Sequence, residues 1–240
     1  MFVPSSPPLG SQSAPSWRLP AAISLILLPL LLGWDFSGGD LKMAALWGES
    51  DGFPLRTHWW MVKIMHEGAR TLGWVFLLAM LIGIWRPWGA LRSLATVDRV
   101  GVFLSVLCAL LAVILVKGFS QTTCPWDLQV FGGAIPYVSH WDFSQSDGGG
   151  GHCFPAGHAS TGFAFMAAYF GLTQSGSTAA GRWLGVAVLL GFVLGLSQQI
   201  RGAHFMSHTL WTAWLCWTVG WLSHLIFYKT RRPKNQAPAT

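Results

Sequence analysis

Three short stretches of this sequence combine cations, histidines and small residues: KGFSQTTCP from Lys117 to Pro125, CFPAGHAS from Cys153 to Ser160, and QQIRGAHFMSH from Gln198 to His208. Histidine is the side chain whose ordinary pKa lets it give a proton to a leaving oxygen near neutral pH. A neutral imidazole can also attack phosphorus and carry it covalently. His158 is read as the general acid and His204 as the nucleophile, with Lys117 and Arg201 as the cationic clamp on a phosphoryl group, Arg201 through a bidentate guanidinium. His208 lies four residues after His204 on the same helical face, where it can share the proton of His204 and set its tautomer. Pro155 suits a first helical turn, and Gly157 lets an anion approach the backbone of the helix that starts there. This set suits phosphoryl transfer through a phosphohistidine.

The elements that must hold these groups are membrane helices. The chain is 52% hydrophobic and 10% charged, with 15 Trp and 15 Phe, which excludes an ordinary soluble domain. Apolar runs at 19–34, 72–85, 100–116, 159–172, 183–196 and 205–228 predict an all-α, six-helix membrane bundle, the shorter runs being extended by semi-polar flanks. Residues 1–18 form a Pro/Ser-rich mobile tail with no cleavable leader pattern, 19–228 the membrane domain, and 229–240 a basic tail. With the N-terminus inside, Arg18, Arg86, Arg92, Arg99, Arg182, Lys229, Arg231, Arg232 and Lys234 fall on the cytoplasmic side. The outer side keeps six cations on longer segments and every acidic residue except Asp98, so the net charge of +6 is a topology signal. The dispersed basic residues argue against nucleic acid as a partner. Two long outer loops, 35–71 and 118–158, flank the motifs. In this topology Lys117 and Arg201 end outward-running helices while His158 and His204 begin inward-running ones, so four helix ends converge on one face.

In this order the motifs resemble those of the type 2 phosphatidic acid phosphatase (PAP2) superfamily, K-x6-R-P, P-S-G-H and R-x5-H-x3-D. Here they read Lys117 to Pro125, Pro155 to His158, and Gln198 to His208. The resemblance implies a six-helix bundle with a periplasmic active site in a bacterial inner membrane, metal-free chemistry with no cofactor, and a lipid phosphate or diphosphate as substrate among the membrane lipids. It implies phosphate binding by Lys117 and the Gly157 backbone, acid catalysis by His158 and attack by His204. Cys124 stands at the first motif's Arg, Ala156 at the Ser, Gln198 at the third motif's Arg and His208 at the Asp. Ala156 and Gln198 are therefore counted with the phosphate-facing positions without the roles of the residues they replace. Arg201 is expected to restore a lost cation, and His208, or Asp142 or Asp127 from the loop, to back His204.

Other readings stay beside this one. A phosphotransferase would pass the phosphoryl group to another lipid, for example lipid A, and a non-catalytic protein would bind metal or haem or transport a solute. The His pair in HFMSH also has zinc or copper spacing, but Arg201 would repel a cation. Cys108 and Cys216 are packing residues; Cys124 and Cys153, both outer, are either free or bridged. His58, His66, His140 and His152 are expected to bind water, with His66 able to line the site, and His224 to pack. The tryptophans are expected to be interface anchors.

Overall fold

The computed structural model describes residues 17–142 and 144–231. The expected tail before Trp17 and the end of the basic tail, RPKNQAPAT, lie outside them. The described chain runs α1 (Arg18–Phe36), α2 (Gly39–Ala44), α3 (Ala69–Ile82), α4 (Thr96–Phe119), α5 (Gly157–Phe163), α6 (Ala167–Gln174), α7 (Ala180–Ile200) and α8 (Met206–Arg231). Among the described residues there is no strand, only two isolated bridges. The fold is all-α.

Four helices, α1, α4, α7 and α8, are long and apolar enough to cross a membrane, with lengths of 19, 24, 21 and 26 residues. The other two apolar runs are not uniform α-helices. The first begins as π-helix over Trp60–Gly68 and continues into the 14-residue α3, so the loop drawn to residue 71 ends earlier than expected. Gly68 permits that wide turn: a Cβ there would stand 3.1 Å from the Lys63 carbonyl oxygen. The second run is α5, a tight 3-10 turn at Ala164–Met166, and α6 in succession.

The core sits between α4, α5, α6 and α8. On α4, Gly101, Val102, Ser105, Val106, Ala109 and Val113 form one buried stripe at helical spacing. The opposite faces carry Leu25, Leu30, Leu104, Leu115 and Leu189, all exposed, as a helix bathed in lipid would. Lipid tails supply no hydrophobic drive between helices, so close backbone approach must hold them. Gly162 of α5 and Gly191 of α7 provide it. A Cβ on Gly162 would lie 2.2 Å from the Gly191 nitrogen, and the Phe163 ring covers Gly191.

At the end of the bundle that carries both long loops, Ala44, Phe53, Leu128, Phe131 and Phe205 make a second, smaller core. It ties the first loop and the second loop to the start of α8. Asp40 of α2 caps α8, accepting from the Ser207 N–H at 2.9 Å and from the Ser207 hydroxyl.

Candidate active site

Backbone hydrogen bonds lock the three motifs together. Lys117 lies in the last turn of α4. Beyond it Ser120 and Thr122 accept from the N–H groups of His152 and Cys153 at 2.8 and 3.1 Å, and a Cys124–Cys153 disulfide closes the 29-residue separation. The two outer cysteines, which the sequence left open, are thus joined. The Ala156 N–H donates to the His208 carbonyl at 3.2 Å, and Trp126 N–H donates to Gly202 O at 2.9 Å. Gly202 has φ of +75°, which glycine adopts at little cost, and it makes the turn between α7 and His204.

These contacts surround one cavity of about 410 Å³. Its polar end is lined by His66, Arg70, Lys117, Gly157, His158, Gln198 and His204, and its other end by Trp74, Leu77, Leu110, Val113, Ile114 and Phe165. Six of the residues singled out from the sequence as able to face the site therefore share it: His66, Lys117, Gly157, His158, Gln198 and His204. The His158 ring stacks on His66 with centroids 3.9 Å apart, and its buried Nε2 has no hydrogen-bond partner among the described residues. His204 turns Nδ1 toward His208 Nδ1 at 3.4 Å, although His204 precedes α8 by two residues and does not share a helical face with His208. Two ring nitrogens that meet edge to edge need one proton between them, which fixes one tautomer against the other.

Five residues expected at the site are placed differently. Arg201 does not line the cavity. Its Nη1 donates to Gln198 Oε1 at 2.9 Å and its Nε to the Arg56 carbonyl at 3.1 Å, so it holds Gln198 in place from behind. Ala156 is fully buried and its N–H is already bonded to the His208 carbonyl, which leaves no donor for an anion. Pro155 precedes the helix rather than starting it, since α5 opens at Gly157. Neither loop aspartate backs His204. Asp127 bonds Arg56 and Trp126, and Asp142 bonds Ser144.

Arg70, in the first turn of α3, lines the cavity, which Arg201 was expected to do. Its position in HEGAR beside His66 was the available signal. Trp126 also lines the cavity, with Arg56 over its ring at 4.6 Å, so it is more than an interface anchor. His140 is not a water-binding loop residue: its side chain is buried against Asp35 and Phe154.

Burial, then Lys117 and His158, holds His204 well below the usual histidine range. A nucleophilic imidazole must be neutral, so this environment favours that role. Cys153, His204 and His208 bring potential ligand atoms within 4.8 Å of one another. They fit a metal ion poorly, because the Cys153 sulfur is committed to the disulfide and the positive field of Lys117 reaches both histidines.

An all-helical bundle with four membrane-length apolar helices, and a cavity where two imidazoles stand beside Lys117 and Arg70, defines an integral-membrane protein whose site suits phosphoryl chemistry. The sequence pattern of the PAP2 superfamily matches residues 99–232 of the 240, and the chain belongs to that superfamily. Membership brings phosphatase- or phosphotransferase-type chemistry. No curated protein and no solved structure matches the chain.

Proposed function

We propose that the protein is a lipid phosphate or diphosphate phosphatase of a bacterial inner membrane, acting at the periplasmic leaflet through a phosphohistidine. The observation that carries this reading is the two-ended cavity. Cations and imidazoles line one end, and the other opens between α3 and α4 at Trp74 and Ile114, which are 62% and 57% exposed on the lipid-facing surface. A lipid enters sideways there, with its chain along the apolar wall and its phosphate at the polar end. In this reading the Trp60–Ile82 and Gly157–Gln174 rods also span, which makes six passes.

The phosphate sits by Lys117 and Arg70, with Gln198, steadied by Arg201, as a neutral donor. His204 attacks through Nε2, because its Nδ1 faces His208. His158 gives its proton to the leaving oxygen as the P–O bond breaks; a bound phosphate dianion offsets the surrounding positive charge and favours the protonated imidazole. Water then attacks phosphorus and frees His204.

The test is phosphate release from phosphatidic acid, phosphatidylglycerophosphate, undecaprenyl diphosphate and lipid A phosphate, with and without an acceptor lipid. His204→Ala is expected to abolish both turnover and phosphoenzyme, and His158→Ala to lower turnover by about 10²–10⁴-fold. Unchanged activity in His204→Ala ends the assignment. Release that depends on the acceptor makes the protein a phosphotransferase.

A further inference from the structure

Position 208, where the superfamily motif has Asp, holds a histidine, so nothing of opposite charge touches the nucleophile directly. His208 is fully buried in an aromatic box: Phe154 and Phe205 meet it edge-on at 5.3 and 5.5 Å, and His140 at 5.8 Å and 84°. The His140 ring lies flat on Phe154, 4.3 Å away, and Phe154 immediately precedes the second motif. On its far side His140 Nε2 stands 3.5 Å from Asp35 Oδ2, the two side chains being 7% and 2% exposed. Trp141 and Trp211 each donate their indole N–H to the same Asp35 oxygen at 2.8 Å. Asp35 Oδ1 has no hydrogen-bond partner among the described residues.

A carboxylate with a bare oxygen in a water-poor site is costly unless positive charge develops nearby. We infer that Asp35, at the end of α1, and His140, from the second loop, are positioning residues for the nucleophile, supplying through His208 the negative charge that position 208 itself lacks. The inference rests on the phosphohistidine reading above. When His204 Nε2 gives its lone pair to phosphorus and the bond to the leaving oxygen breaks, the ring keeps its Nδ1 proton and becomes cationic. His208 Nδ1 accepts the hydrogen bond from that proton. Asp35, with His140 held against it, provides the anion that stabilises the cation across the His208 ring. No proton need cross the chain of rings.

The experiment compares Asp35→Asn, Asp35→Ala and His140→Gln in the full chain. Asn keeps an acceptor for both indole N–H groups and loses only the charge. Expected for Asp35→Asn and His140→Gln is a kcat lower by about 10- to 100-fold, the range seen when the outer hydrogen-bond partner of a metal-ligating histidine is removed. KM and the thermal unfolding midpoint stay near those of the wild type, and the affinity for vanadate, which mimics the transferring phosphoryl group, drops about 10-fold or more. Asp35→Ala should lose stability as well. If Asp35→Asn turns over and binds vanadate like the wild type while only Asp35→Ala is impaired, Asp35 is a tether for two tryptophans and the inference is wrong. Should Asp35→Asn fail to fold, His140→Gln carries the same comparison, and wild-type kcat in it overturns the inference. A wild-type chain that forms no phosphoenzyme and binds no vanadate instead refutes the phosphohistidine reading, whereas normal labelling with no effect of these variants refutes the relay alone.

Discussion

Replacing Gly162 by Ala tests how the site is held. The added methyl would stand 2.2 Å from the Gly191 nitrogen, 2.6 Å from its Cα and 2.7 Å from the Leu190 carbonyl carbon, all main-chain atoms of α7. No rotamer change relieves a clash with backbone. Ordinary contact begins at 3.4 Å, so α5 and α7 must part by about 1.2 Å. Overpacking of this kind costs about 1–3 kcal/mol, and the upper end applies where nothing flexible can yield. The functional cost follows from the same movement. α5 carries His158 and α7 carries Gln198, and both line the cavity. A displacement near 1 Å at reacting groups lowers turnover by about 10²-fold. The assay pairs thermal unfolding in detergent with phosphate release. Gly185→Ala, on α7 with nothing within 4 Å of its Cβ, is the control and should be neutral or stabilising by about 0.5–1 kcal/mol. Wild-type stability and activity in Gly162→Ala, or equal damage in the control, would refute this account of the α5–α7 contact.

Other tests address the loops, the cavity and pH. Removing the Cys124–Cys153 bridge by Ser substitution frees a loop of 29-residue separation and should cost about 3–4 kcal/mol, read by thermal unfolding with and without reductant. It should also lower activity, because the bridge holds the first motif beside the second. Ile114→Trp narrows the apolar end of the cavity; KM should rise for long-chain lipid phosphates and stay constant for a short water-soluble phosphoester. His204 is held below the ordinary value of 6.5, so as pH falls through 6.5 the unfolded chain binds a proton that the folded one refuses. Stability, complete above 6.5, should therefore decline below it, and a His204→Gln variant should show a shallower decline in unfolding midpoint between pH 7 and pH 5.

The class of fold and half of the site were legible in the order of residues. Apolar runs of membrane length determine helices whatever packs against them, because a bilayer leaves backbone polar groups no other partner. The spacing of Lys117, His158 and His204 at helix ends placed them on one face, and the close-packed cavity holds all three. The closeness of His204 and His208 was foreseen, but not its cause: His204 stands two residues before α8, and the turn leading into that helix, not a shared helical face, brings the two rings together. What sequence could not decide was direction and depth. Arg201 stands three residues from His204 yet turns away to Gln198 and Arg56, since the side chain of a helix-terminal residue takes whichever acceptors the loops bring near. Arg70 lines the cavity only because α3 packs beside α5. Asp35 and His140 are 105 positions apart and carry no shared motif; only the folding of the second loop over the ends of α1 and α8 encloses them with two indoles behind His208. Local periodicity determines helices and their faces, whereas long-range packing decides which charges lose their water and meet.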